Sequence, residues 1–348
     1  MASKNDETTP GGSRRRNRRI TATRDDLSGA VTKAVRELSL EGGDAAAGGG
    51  GGGGDAYNSS TTTTTREGHV IKRYAGCSKK GYAPYNPRKQ NQDSILMEED
   101  TKTGALFLAT LDGHGEAGDL VSQHFTKRLK DEVFGHPDWP SNPGKIMTQA
   151  LAKLEDAVIK NPSIDTEFSG TTAVLATVIG DTLTVCNVGD SRIICDTEND
   201  DKTRNVESVS KDHKPDDPPE KARITRAGGR VFAVEYDDGV DGPARVWLGH
   251  MDIPGLAMSR SLGDTIAHTA GVSSEPDIYT RKLTSKDKIL VLATDGLWEF
   301  ITNEEVAKMT RECDDPEKAC SVMAAEAHKR WMKEEGVVDD TTIIVAYL

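Results

Sequence analysis

The chain has 348 residues, 35% of them hydrophobic and 29% charged, with a net charge of −12. That length suits one large domain or two medium ones, and no apolar run reaches the roughly 18 residues of a membrane span. The charge is uneven: residues 1–66 carry net +2 and the remainder −14, so the acidic body argues against nucleic acid as the main partner. The cysteines, at 77, 186, 195, 313 and 320, are odd in number and lack CxxC spacing. They suggest neither a disulfide framework nor a zinc site, and fit a reducing, intracellular setting, cytoplasmic or nuclear. The opening Met1-Ala2-Ser3-Lys4 has no apolar signal region and carries alanine where myristoylation needs glycine.

Residues 1–66 read as a disordered, low-complexity tail outside the fold. Arg14-Arg15-Arg16-Asn17-Arg18-Arg19 is a nuclear-type signal, an anion-binding patch, or simply a solvated run. Leu27, Val31, Ala34, Val35 and Leu38 share one face of a short helix capped by Asp26 or Ser28, too short to persist alone. Seven glycines, Gly48 to Gly54, and five threonines, Thr61 to Thr65, read as a flexible linker.

The body, residues 67–348, is expected to fold. Apolar runs predict strands over His69–Cys77, Ser94–Met97, Ala105–Leu111, Thr172–Ile179, Thr182–Val188, Arg192–Cys195, Ile289–Ala293 and Thr342–Tyr347. Gly180-Asp181 is a two-residue hairpin signal between two of them. Helices are expected over Glu116–Phe134, Pro143–Lys160, Pro218–Ala227, Asn303–Met309 with Asn303 as cap, and Pro316–Lys333. Hairpin-rich strands with grouped helices imply an α+β fold with antiparallel sheets. No Rossmann or P-loop glycine pattern is present.

Five stretches put aspartate at a strand end or tight turn: Asn91-Gln92-Asp93, Asp112-Gly113-His114, Gly189-Asp190-Ser191-Arg192, Thr294-Asp295-Gly296 and Asp339-Asp340. Each alone is an ordinary turn, because aspartate bonds its own backbone there. Together they mean more. Strands packed side by side bring their ends together, and crowded carboxylates raise each other's pKa unless a cation neutralises them. Oxygen-only donors suit Mg²⁺ or Mn²⁺, and a divalent pair is the simplest reading.

In these stretches the chain resembles the metal-dependent protein phosphatases of type 2C, from about Arg88 to Asp339. Besides the aspartate turns, the resemblance is carried by Phe168-Ser169-Gly170-Thr171-Thr172-Ala173 and Asp212-His213-Lys214-Pro215. It continues in Leu256-Ala257-Met258-Ser259-Arg260-Ser261-Leu262-Gly263-Asp264 and Thr294-Asp295-Gly296-Leu297-Trp298. The resemblance implies a four-layer α-β-β-α sandwich with two central antiparallel β-sheets. It implies a serine/threonine phosphatase acting on phosphoprotein substrates, and the chain is expected to be a monomer. Two Mg²⁺ or Mn²⁺ ions would be held by Asp93, Asp112, the Gly113 carbonyl, Asp295 and Asp339, with Asp112 bridging and Asp190 holding a weaker third. Arg88 would grip the phosphate, and His114 would serve as general acid. A hydroxide between the metals would attack phosphorus in line, with no phosphoenzyme. No cysteine sits in a Cys-x5-Arg loop, so none is a nucleophile candidate.

Departures from the family pattern are Gln92, where many animal members have Glu, and Glu299, where some carry a third-metal Asp. They are the one hint of the alternative, a catalytically silent binding module. Residues 231–248 should form a flap, whose Asp237-Asp238-Gly239-Val240-Asp241 matches no family pattern. Of the pair Asp339 and Asp340, the ligand is expected to be Asp339. Trp247, Trp298 and Trp331 read as packing, His213 as fixing a turn, and Asp264 as a structural acceptor.

Overall fold

The computed structural model describes residues 58–236 and 239–348. The arginine run, the helix expected around Leu27–Leu38 and the glycine linker lie outside the described residues, as do Asp237 and Asp238 of the expected flap. The chain divides into two units, residues 50–232 with 244–348, and residues 1–49 with 233–243. The cores and the site below belong to the first. Of the second, only short extended segments are described.

The described chain opens with β1 (Asn58–Ser60), β2 (Thr64–Thr65) and β3 (Arg73–Lys79). Next come β4 (Ser94–Asp100), β5 (Ala105–Leu111) and β6 (Gly113–His114), then helices α1 (Gly118–Phe134) and α2 (Pro143–Ile159). β7 (Gly170–Thr171), β8 (Ala173–Ile179), β9 (Thr182–Val188), β10 (Arg192–Glu198) and β11 (Arg204–Ser208) precede α3 (Pro218–Arg226). β12 (Arg230–Tyr236), β13 (Gly239–Trp247), β14 (Pro254–Leu256), β15 (Leu262–Gly263) and α4 (Thr265–Thr269) follow. β16 (Asp277–Lys282), β17 (Asp287–Ala293), α5 (Asp295–Trp298), α6 (Asn303–Arg311), α7 (Pro316–Glu334) and β18 (Thr341–Tyr347) complete it.

One sheet has seven strands in the order β1-β3-β18-β17-β10-β11, with β2 also on β3; a second has five, β16-β9-β8-β5-β4. The inner strands are largely apolar because they bury both faces, and their alternation sorts each residue to one of two cores. Leu106 and Leu108 of β5, Val174 and Ala176 of β8, Leu290 and Leu292 of β17 and Ile344 of β18 meet between the sheets. The intervening Phe107, Ala109 and Leu111 of β5, with Leu175 of β8, face Val121, Phe125 and Leu129 of α1 and Leu151 and Leu154 of α2. On the other outer face, Val291 of β17 and Ile343 and Val345 of β18 pack on Leu297, Val306, Met323 and Ala327 from α5, α6 and α7. The result is helix, sheet, sheet, helix, the four layers the sequence led us to expect.

Two expectations change. The fold begins before residue 67: β1 pairs with β3 from Asn58 opposite Lys79 to Ser60 opposite Cys77, and β2 places Thr64 opposite Tyr74. The threonine run is therefore not linker from end to end. β-branched residues suit an edge strand, and the Thr63 hydroxyl donates to Asp315 Oδ2 at 2.8 Å. Arg66 is buried, donating to the Gly104 carbonyl at 2.7 Å. The cap of α6 is Thr302, not Asn303. Thr302 Oγ1 accepts from the Glu305 amide while the Glu305 carboxylate accepts from the Thr302 amide, a reciprocal box. Asn303 instead joins Arg192 to Ser208.

Candidate active site

The ends of β5, β10 and β17, with the loops entering β4 and β18, converge at one end of the sandwich, and their turns are held by threonine and serine hydroxyls. Thr172 Oγ1 accepts from the Asp112 amide at 3.1 Å and lies 2.7 Å from Ser191 Oγ, tying the turn of Asp112 to that of Asp190. Thr294 Oγ1 donates to Asp93 Oδ2 at 2.8 Å and accepts from the Thr342 amide at 3.0 Å. Arg192 grips Asp212 with Nε and Nη2, at 2.9 and 2.5 Å, and lies over the Trp298 ring. Its forked bond fixes the turn that carries Asp190.

The carboxylates so gathered are short of partners. Asp93 Oδ1, Asp190 Oδ1 and Asp295 Oδ1 are buried without a hydrogen bond. Burial, then the negative neighbours Asp295, Asp93, Asp339 and Asp190, hold the Asp112 carboxyl well above the usual carboxylate range. Burial and Asp340 likewise raise Asp93. Burial, Asp190 and Asp339 push Asp295 to about 7, while a hydrogen bond with Asp112 works the other way. Among the described residues no three acidic, histidine or cysteine groups are already closed around one point at ligating distance. The fit to a cation rests instead on the unpartnered buried oxygens and on their hard-donor chemistry.

Neighbouring residues divide between deep and rim positions. Lys214 Nζ lies 2.6 Å from Oδ2 of Asp190, the residue expected to help hold a third ion, and Glu299 is exposed. Asp340 is fully engaged: Oδ1 accepts from the Gly81 amide at 2.6 Å, and Oδ2 from the Gln92 amide at 2.8 Å and from Lys89 Nζ at 2.5 Å. It clasps three segments together, whereas the Asp339 side chain is 44% exposed at the rim. Arg88 is exposed and makes no hydrogen bond or ion pair among the described residues. The basic group at the rim is Lys89.

His114 sits in a small three-stranded sheet ordered β15-β7-β6, which pairs His114 with Gly170 and Gly170 with Gly263. Asp264 follows directly and reaches across Gly170, its Oδ2 2.6 Å from His114 Nε2. A Cβ on Gly170 would lie 2.1 Å from that oxygen, so only glycine permits the crossing. Burial works against the imidazolium, but Asp264, with Asp190 and Asp295 farther off, outweighs it and raises the His114 pKa. His114 Nδ1 is buried and unpartnered.

Gln92 has a use a carboxylate does not. Its Nε2 donates to the Gly115 carbonyl at 2.6 Å, while the Gln92 backbone carbonyl, as any residue's could, accepts from the Gly113 amide at 3.2 Å, so that both sides of the Asp112-Gly113-His114-Gly115 turn are braced. His213 does fix a turn, its Nδ1 accepting from the Gly189 amide at 3.0 Å. The indoles of Trp298 and Trp331 donate to the Ala293 and Gly296 carbonyls, each at 2.8 Å, on either side of Asp295. Thr172, Lys214 and Thr294 fall inside the motifs read from the sequence and Lys89 does not, but the sequence assigns none of the four a partner, because those partners lie far along the chain.

A face-to-face antiparallel sandwich with an acidic cluster at one end of its sheets defines the class of the protein serine/threonine phosphatases of type 2C. The protein phosphatase 2C family model matches residues 87–336, and the chain belongs to that family. Probable protein phosphatase 2C 35 of Arabidopsis thaliana is 31% identical over 293 residues, 79% of this chain and 83% of that one. Probable protein phosphatase 2C 12 of Oryza sativa subsp. japonica is 39% identical over 307 residues, 74% of this chain and 78% of its own. A crystal structure of serine-threonine phosphatase 2C from Toxoplasma gondii shares the fold, with a TM-score of 0.69 at 20% identity, over 83% of this chain and 98% of that one. No helix among the described residues is long and apolar enough to cross a membrane.

Proposed function

We propose that this phosphatase is Mg²⁺- or Mn²⁺-dependent and hydrolyses phosphoserine and phosphothreonine in proteins by direct transfer to water, without a phosphoenzyme. The observation that carries this reading is the set of buried, unpartnered carboxylate oxygens of Asp93, Asp190 and Asp295 beside Asp112. Asp93, Asp112, Asp295, Asp339 and the Gly113 carbonyl would hold two ions. A third at Asp190 has weaker support, since Lys214 already neutralises one of its oxygens. Asp339 is favoured over Asp340 because Asp340 has spent both oxygens on amides and Lys89. When bound, the ion pair lowers the pKa of water and supplies a nucleophile near neutral pH.

The chain's own residues do the rest. The turns fixed by Thr172 and Thr294 keep the carboxylates in place. His114, held by Asp264, donates a proton to the departing serine or threonine oxygen. The Gln92 side chain braces the turn that carries Gly113 through the Gly115 carbonyl. The direct test is hydrolysis of p-nitrophenyl phosphate and of a phosphothreonine peptide by the full chain. Turnover is expected with Mn²⁺ or Mg²⁺ and loss of it in EDTA. Turnover that persists in EDTA, or none with either ion, sinks the reading.

Asp264→Asn separates the acid from its holder. Activity requires His114 protonated, so it falls as pH rises through the raised His114 pKa. Without the Asp264 charge that fall begins at lower pH, and kcat near neutrality drops by about 10- to 100-fold. A pH profile of kcat on the peptide checks the sign; an unshifted alkaline limb removes His114 from the role.

A further inference from the structure

We propose that Glu155, remote from the reacting atoms, is a positioning residue for the proton donor: it holds the left-handed step at Gly263-Asp264 that aims Asp264 at His114. The inference rests on the phosphatase reading above and on the role given there to His114. Both residues of the step have positive φ, Gly263 at 88° and Asp264 at 40°. Among the described residues Lys202 is the one other non-glycine with positive φ. Glycine enters that region freely. Aspartate enters it at a cost, and such strain persists only where the surroundings over-determine it.

Backbone partners hold part of the step. The Asp264 amide donates to the Ser169 carbonyl at 3.0 Å, the Thr265 amide to the Thr166 carbonyl at 2.8 Å, and the Asp264 carbonyl accepts from the His268 amide at 3.0 Å. The remaining hold is a side chain: Glu155 Oε1 accepts from the Gly263 amide at 3.2 Å. β15 is an edge strand of its small sheet, and a buried edge amide without a partner is costly. Glu155 reaches it from α2, 108 positions earlier. Leu151, Leu154 and Val158 of that helix share one apolar core with Leu262 of β15, so packing alone would favour an apolar residue at 155. Glu155 is instead a carboxylate, 8% exposed. Burial lifts its pKa, while Ser274, His268 and the Gly263 amide work the other way. A buried carboxylate is kept at such a cost when it holds something. Here it holds the amide one residue before Asp264, whose Oδ2 lies 2.6 Å from His114 Nε2. Freeing that amide lets the left-handed step relax and turns Asp264 away from the imidazole.

The test compares two leaving groups on the full chain in Mn²⁺. A threonine oxygen needs a proton to depart, and p-nitrophenolate does not. Glu155→Met, similar in length but without the carboxylate, is expected to lower kcat on a phosphothreonine peptide by about tenfold or more. On p-nitrophenyl phosphate the loss should stay below about threefold, with KM for either substrate changed by less than about threefold. Glu155→Gln keeps an acceptor and should restore most of the loss. Added to Asp264→Asn, Glu155→Met should cost little more, since both act through one bond. If Glu155→Met does not fold, Glu155→Asp keeps the charge, falls one methylene short of the amide, and should show the same split. A second readout is the low-field imidazole N–H signal of the His114–Asp264 bond in the metal-free chain, assigned by its change in Asp264→Asn. It should move in the Met or Asp variant and stay in the Gln variant. Equal loss on both substrates, no loss on either, or an unmoved signal overturns the proposal, Glu155 then only joining α2 to β15. Wild type that hydrolyses neither substrate removes the phosphatase reading, and the imidazole signal still decides whether Glu155 sets Asp264. Wild type without that signal lacks the bond itself and overturns the proposal.

Discussion

Asp112→Asn should lower kcat/KM on a phosphothreonine peptide in Mn²⁺ by roughly three orders of magnitude or more, the scale set by losing a group proposed to hold the catalytic ions. The substitution keeps the shape and the hydrogen bond that the backbone amide of residue 112 donates to Thr172 Oγ1, so folding should survive. It removes one charge from the group that Asp295, Asp93, Asp339 and Asp190 all crowd. The metal-free variant should therefore be as stable as wild type or more so, while its stabilisation by Mn²⁺ shrinks. Catalytic loss and a gain in metal-free stability are opposite in sign, and unfolding curves in EDTA beside activity in Mn²⁺ measure both. Near-wild-type turnover would remove Asp112 from the site.

The second large effect is the linkage between metal and pH. Asp93, Asp112 and Asp295 have folded pKa values raised above those of an unfolded chain. A raised carboxyl keeps its proton in the folded state after the unfolded chain has released it. The metal-free protein therefore loses stability as pH rises from about 4, the unfolded value, through about 7 for Asp295. A divalent cation bound as proposed would take the ionised carboxylates and reverse this. The rise in Tm on adding Mn²⁺ should thus be larger at about pH 8 than at about pH 5.5. At a thousandfold excess over Kd, bound ion contributes about 4 kcal/mol. Equal shifts at both pH values would mean that the ion binds elsewhere.

Much of the fold was legible because both faces of the inner strands are buried. Ala105–Leu111 and Thr182–Val188 coincide with β5 and β9, since a largely apolar or β-branched run ending on Asp or Gly leaves little choice of boundary. The acidic turns were legible for the same reason: each abuts such a run at one end. What stayed hidden depends on partners distant in sequence. The threonines beside β3 look like linker until the edge they pair with is known. Asp264 reads as a structural acceptor until β7 brings it to His114, 150 positions away. Lys89 is indistinguishable from Arg88 until the turn at Asn86 sends one to solvent and the other to Asp340.

The division of β5 and β17 between two cores has a consequence for how this chain can vary. Deleting a single residue inside either strand would exchange the side chains that feed the inner and outer layers, and would withdraw Asp112 or Asp295 from its neighbours in the same stroke. Length changes are therefore tolerable in the connecting loops alone, and the chemistry is kept in phase by packing far from any reacting atom.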